Sequence, residues 1–313
     1  MSVETPFLSD DDAPGASVSA EARRAVVRTV TYAALFQAPL TLDRLHRALM
    51  GVRLDPLEID EALADPWVRA RVDADGGLVR PRGRDAWIPL RDERRRHTAS
   101  LIERHRRALR LLARFPFVRM VGLSGACAHD NASDDDVDVF LVARAGRAWC
   151  MYLGLVAASR VLGVRRTLCV NYVVDEGELR LAERDVFTGA EVVALRPLAG
   201  REAYCRFVEE NDWVGALFPN FVERHAADAA AVPPAGAPRW LERLLDLGPA
   251  PLLEWLSRRV MGARLRRKAQ GSPAVVLGSG RLKLHLHDHR RHLLDRWDEA
   301  QRQAGLEPRA EPR

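Results

Sequence analysis

The sequence predicts an α+β fold with more than one hydrophobic core. Three features lead to this expectation. Helical periodicity near the N-terminus gives way to two short strand signals, strand-like and helical runs alternate through the centre, and the last third returns to amphipathic helical spacing. At 313 residues the chain exceeds one ordinary small core, and its 47% apolar and 29% charged content is that of a globular protein. No stretch reaches the roughly 18 to 20 apolar residues of a membrane span. The most apolar window, WCMYLGLVAASRVLGV, is broken by Arg160.

Residues 1–19 have the Ser, Asp, Pro, Gly and Ala content of a disordered leader, and they lack the basic and apolar regions of a secretory signal. A cytoplasmic location is the expectation. From Ala20, Val26, Val27, Val30 and Ala33 recur at helical spacing. Thr41 is a candidate cap for a second helix that ends at Gly51, and Asp55-Pro56 opens a third as cap and first helical residue. Two strand candidates around Asp75-Gly76-Gly77 follow. Three helices and a hairpin over 20–95 are in the order of a winged-helix module. The third helix, DPLEIDEALAD, would be the recognition helix of a DNA-binding member, but it carries five acids and no base. Such a helix is a poor partner for phosphate, so a protein-contact or packing role is expected.

Residues 96–225 are expected to form a second domain. A long helix over 91–114, apolar on one side and rich in Arg and His on a solvated side, precedes strand VRMVGLS, loop GACAHDNASDD and strand DVDVFLVA. A buried helix over Arg147, Trp149 and Leu155, a third strand RRTLCVNYVVD and a helix centred near Glu191 come next. YCRFVEENDWVGALFPNF reads as helical up to a stop at Pro219-Asn220, with Asn211, Asp212 and Trp213 as a structural cluster. Residues 226–238 read as an exposed Ala/Pro linker, and 239–313 as a helical C-terminal region. His285, His287 and His289 alternate, which would align imidazoles on a strand, but they lead into a helical pattern that spreads them apart.

Cysteines at 127, 150, 169 and 205 have no C-x-x-C spacing, so they are expected to be free and mostly buried. The formal charge is +5, and Lys occurs only at 268 and 283, so positive charge is almost all Arg. Arg suits phosphate geometry, which permits nucleotide or nucleic-acid binding without indicating it.

The chemistry points to MVGLSGACAHDNASDDDVDVFLVA, 120–143. Strand alternation puts Asp136 and Asp138 on one face and Val137 and Val139 in the core, while Asp134 and Asp135 fall in the loop. Two carboxylates so close cannot both stay ionised without a cation or other compensation, and hard oxygen ligands on a short rigid edge suit Mg²⁺, which keeps waters and substrate phosphates as its other ligands. Upstream, Ser124, Gly125 and Ala126 form a small-residue turn whose amides can approach a phosphate. No P-loop, dinucleotide fingerprint or G-x-S-x-G elbow is present.

VGLSGA followed by SDDDVDVFLV resembles the signature of the polymerase-beta-like nucleotidyltransferase superfamily, a Gly-Ser turn and then Asp-hydrophobic-Asp-hydrophobic. Over about 25–220 the chain also resembles uncharacterised bacterial nucleotidyltransferase-domain proteins with a winged-helix-like N-terminal segment, through PFVRMVGLSG, DVDVFLV, CVNYVV and ENDWVGALFPN. The resemblance implies a mixed sheet flanked by helices, with Asp136 and Asp138 carrying two Mg²⁺ or Mn²⁺ ions. Those ions would hold an NTP whose α-phosphate is attacked by an acceptor hydroxyl.

This chain departs from the pattern twice. Ala126 stands where the superfamily has Ser, and Asn171 stands where active members place a third carboxylate. Asn can accept a hydrogen bond, but it cannot act as a base or neutralise charge. Asp175, Asp185 and Glu191 are the acids that folding could bring in its place. Three readings remain open: an active nucleotidyltransferase, a weakened nucleotide-binding domain, and a winged-helix regulator.

Overall fold

The computed structural model describes residues 18–161, 163, 167–269, 272, 275–284 and 289–307. The leader through residue 17, His285 and His287 lie outside them, as does the side chain of His289.

Ser19 caps α1 (Ala20–Ala34) by accepting from the Ala22 amide, 3.1 Å. Strand β1 (Leu40–Thr41) leads into α2 (Leu42–Arg47), capped by Thr41. Helix α3 (Pro56–Ala64) starts with a reciprocal Asp55–Glu58 capping box and Pro at its first turn. The short α4 (Pro66–Arg69) precedes β2 (Val72–Asp75) and β3 (Leu78–Pro81). Gly76 and Gly77 have φ of +57° and +75°, the left-handed pair that a two-residue hairpin turn demands. The expected helices and hairpin are present, joined by β1 in a three-stranded sheet of order β1-β3-β2.

The second region begins with α5 (Trp87–Ala113), β4 (Val118–Leu123), α6 (Gly125–Ala128), β5 (Val137–Ala143), α7 (Ala148–Val161) and β6 (Leu168–Asp175). It continues through α8 (Val186–Ala194), β7 (Arg196–Ala199), α9 (Arg201–Glu210), α10 (Val214–Leu217) and α11 (Pro219–Asp228). The rest is α12 (Arg239–Leu247), α13 (Ala250–Ala269), β8 (Val275–Leu277), β9 (Arg281–Leu284) and α14 (His289–Gln303). The second sheet has six strands in the order β7-β4-β5-β6-β9-β8. Strands β5 and β6 are parallel and the other pairs antiparallel, so the sheet is mixed.

Alternation along β4 and β5 buries both faces. Val121, Leu123, Val139 and Leu141 join α5, α7 and Trp149 in one core, while Met120, Phe140 and Val142 join α8 and α9 in another. A third core fills the N-terminal module. The Asn220 amide ties that module to the rest by donating to the carbonyls of His46 and Leu54, each at 2.9 Å.

Several expectations are corrected. The C-terminal region is not wholly helical, because Leu282 is buried as β9 extends the open side of β6. The long helix expected over 91–114 is present as α5, which starts earlier, at Trp87, and ends at Ala113. Its basic side is not all solvated: Arg94 donates to Phe36 O and Asn131 Oδ1, both at 3.2 Å, and His105 is buried against Leu101 O and Thr167. Pro219 opens α11 rather than closing a helix, with its missing amide where no intrahelical partner exists. The Ala/Pro segment is held down, not exposed throughout: Gly236 donates to Ala113 O at 2.7 Å, Pro233 O accepts from Gly200 at 2.7 Å, and Ala229 is buried. All four cysteines are free, but only Cys127 is buried. No helix among the described residues is long and apolar enough to cross a membrane.

Candidate functional site at the Gly125 turn

Strand β4 delivers Ser124 in extended conformation, and its amide donates to Asp138 O at 3.0 Å, so the turn is stitched to the start of β5. Gly125 follows with φ +56°, and a Cβ built there would sit 2.7 Å from Asp138 Oδ2. Both facts require glycine. The backbone can turn into α6 only in the left-handed region, and the Asp138 carboxylate occupies the space a side chain would need. Ala126 is exposed at the same turn. The loop expected between the two strands thus contains one helical turn.

Val137 and Val139 are fully buried, so Asp138 projects from the opposite face of β5, half-buried. Asp136 lies just before the strand and is exposed. Opposite, Val139 pairs with Val170 and Phe140 with Tyr172, leaving Asn171 of β6 as the extra residue of a bulge. Its Nδ2 donates to Asp138 Oδ1. The Asp138 carboxylate is therefore held between the Gly125 backbone on one side and the Asn171 amide on the other.

Burial, then the charges of Asp136, Asp134 and Glu191, push the Asp138 carboxyl up to about 6. Among the described residues, the charges acting on Asp138 are all negative. Among the described residues no three His, Cys, Asp or Glu side chains come together as a metal-ligand group.

The acids that could replace a third carboxylate separate clearly. Asp175 is buried and accepts from the Gly146 and Gly177 amides, both at 2.9 Å, as a turn clasp. Asp185 caps α8 through the Thr188 amide and pairs with Arg290. Only Glu191 acts on Asp138, and it also faces His129 Nε2 at 3.6 Å. Asp134 and Asp135 are loop acids engaged with α5: Asp134 O meets His97 at 2.8 Å and Asp135 meets Arg104 at 3.6 Å. Arg147 pairs with Asp246 and Trp149 Nε1 donates to Gly278 O, so both anchor structure, as do Asn211 and Trp213 in their buried network.

Beside the turn lies a cavity of about 610 Å³ between the N-terminal module and the second region. Gly125 and Ala126 form part of its wall, Tyr32, Met50 and Phe218 give it apolar surface, and Arg44, Arg91 and Arg196 bring positive charge. Arg44 pairs with Asp130. Burial weakens its hold on its proton, Asp130 opposes this, and the neighbouring Arg91, Arg196 and Arg47 add to the weakening. No sequence pattern links these arginines, because the cavity exists only once α1 and α2 pack against α6 and α8.

No protein-family model, curated protein or solved structure matches the chain.

Proposed function

We propose that the chain binds a nucleoside triphosphate with Mg²⁺ at Asp136 and Asp138 and transfers a nucleoside monophosphate to an acceptor hydroxyl. The observation that carries this reading is the Asp138 carboxylate set against the Gly125 backbone, with a turn that leaves room for no side chain between them. The donor set fits the ion: Mg²⁺ is commonly held by one or two carboxylates, with substrate phosphates and waters completing its shell. When bound, the ion would offset phosphate charge and acidify the attacking hydroxyl.

The protein's own groups do the rest. Asp138 is fixed by Asn171, Asp136 supplies a solvent-facing oxygen pair, and the Ser124–Ala126 backbone offers close approach to phosphate. The neighbouring cavity, with apolar walls and an arginine-lined side, is the place for the base or the acceptor. Asn171 favours a second reading, in which nucleotide is bound but turnover is slow, because an amide spends its donor on Asp138 and brings no charge.

The N-terminal module has the helix and strand order of a winged helix, and α3 exposes Glu58, Asp60 and Glu61. Acids on that face argue for a role as cavity wall rather than as reader of nucleic acid.

Pyrophosphate release from a panel of the four NTPs with Mg²⁺ or Mn²⁺ tests the reaction. Release that disappears in Asp136→Ala and Asp138→Ala supports transfer. NTP binding without release selects the second reading, and salt-sensitive nucleic-acid binding that survives both substitutions selects a regulator.

A further inference from the structure

Helices α12 and α13 divide their charge by face. Their three acids turn inward: Glu242 is buried and pairs with Arg119 at 2.7 Å, Asp246 pairs with Arg147 at 2.9 Å, and Glu254 accepts the Trp149 and Cys150 amides. Leu245, Met261 and Leu265 pack on the core beneath. Their bases turn outward. Arg239 and Arg243 on α12, and those from Arg258 to Lys268 on α13, are all exposed, and among the described residues none forms an ion pair with an acid.

Large apolar side chains share that outward surface. On α12 Trp240, Leu244 and Leu247 recur at one-face spacing and are 67%, 60% and 90% exposed. On α13 Leu252, Trp255, Leu256 and Val260 are exposed too, interspersed with its bases rather than gathered in a separate stripe, with Trp255 55% exposed. Isolated exposed leucines are ordinary, but a one-face stripe on α12 beside the exposed Trp255, Leu252 and Leu256 of the adjoining α13 indicates a binding face.

We propose that the α12–α13 hairpin docks on an anionic lipid bilayer. Tryptophan and leucine insert into the boundary between headgroups and acyl chains, while arginine and lysine reach out to the phosphates, the composition of a helix lying in a membrane interface. Two observations select a bilayer over another copy of this chain. An isologous interface would bring two strongly cationic faces together, and no outward acid is available on the hairpin to pair across it. The surface is separate from Asp136 and Asp138, so it stands or falls independently of the nucleotide reading.

The test is co-sedimentation of the full chain with vesicles. Equimolar phosphatidylcholine and phosphatidylserine should pellet the protein and phosphatidylcholine alone should not, with binding lost in about 1 M salt as the charges are screened. Trp240→Ser with Trp255→Ser should weaken binding at least about tenfold, and Arg258→Gln with Arg259→Gln by a comparable factor. Both pairs are exposed, so the circular-dichroism spectrum and melting temperature should not move. No pelleting at low salt, or equal pelleting of the tryptophan variant, overturns the proposal. So does a concentration-dependent dimer, formed without vesicles, that the same substitutions dissolve.

Discussion

Asn171, a residue of β6 with no partner on β5, donates its side-chain amide to Asp138 Oδ1. The bulge aims the Asn171 side chain back onto the Asp138 carboxylate. A neutral donor steadies Asp138 but leaves the charge of Asp136, Asp134 and Glu191 in place.

That residual charge sets a pH dependence. Asp138 titrates near 6, above its ordinary value of 3.8, so the folded state holds the proton more tightly than the unfolded chain does. The contribution to stability is fully present below the unfolded value, falls as pH rises to about 6, and stays low above that. At about pH 8 without metal, Asp138→Asn should therefore melt ~2 °C higher, corresponding to about 1 kcal/mol after solvent screening. Thermal melts across pH check this, and the difference should close in acid.

Asn171→Asp adds a further acid beside Asp138. Metal-free protein should lose on the order of 1 to 2 kcal/mol, and millimolar Mg²⁺ should restore more of that loss than it adds to the wild type. Urea unfolding with and without Mg²⁺ measures both. Equal Mg²⁺ responses would show that the third position does not face the ion.

Gly125→Ala combines a positive φ with a Cβ at 2.7 Å from Asp138 Oδ2. A loss on the order of 2 kcal/mol is expected, with any Mg²⁺-dependent nucleotide binding reduced more strongly than stability. Ala126→Ser, at an exposed position of the same turn, should leave stability within about 0.5 kcal/mol and return the hydroxyl that the resemblance calls for.

Glu242 secures α12 to the sheet through Arg119, Arg144 and the amide of Phe117, which has φ +67°. Burial raises its carboxyl, but those partners outweigh burial and hold it below the usual glutamate value. Its stabilisation is present above the unfolded value and is lost as pH falls through the lower folded one. Glu242→Gln should cost about 2 kcal/mol near neutral pH, less than a fully buried pair because Arg119 is partly exposed. The deficit relative to wild type should shrink in acid, as urea unfolding at several pH values would show.

Much of this was legible in the sequence where local chemistry decides the outcome. Capping residues placed α1, α2 and α3, a Gly-Gly pair placed the β2–β3 turn, and alternation put Val137 and Val139 inside and Asp138 on the other face. Strand period did not reveal that β5 begins at Val137 and leaves Asp136 outside it, because strand ends depend on which neighbours pair. Nor did it reveal the Asn171 bulge, which is a property of two strands together. The β8–β9 hairpin has little sequence signature, because three or four residues beside Gly and Ser carry little periodic signal until β6 offers an edge. The arginine-lined cavity had no local signature, since Arg44 and Arg196 meet only through tertiary packing around Asp130.

The central claim, that Asp136 and Asp138 together hold a metal–nucleotide complex, is tested most directly by calorimetric titration of each NTP, with and without Mg²⁺, into wild type and into Asp136→Asn and Asp138→Asn. At least one NTP should bind only with Mg²⁺, and each substitution should weaken binding by about tenfold or more while the protein stays folded. NTP affinity that is independent of Mg²⁺, or unchanged by both substitutions, would contradict it.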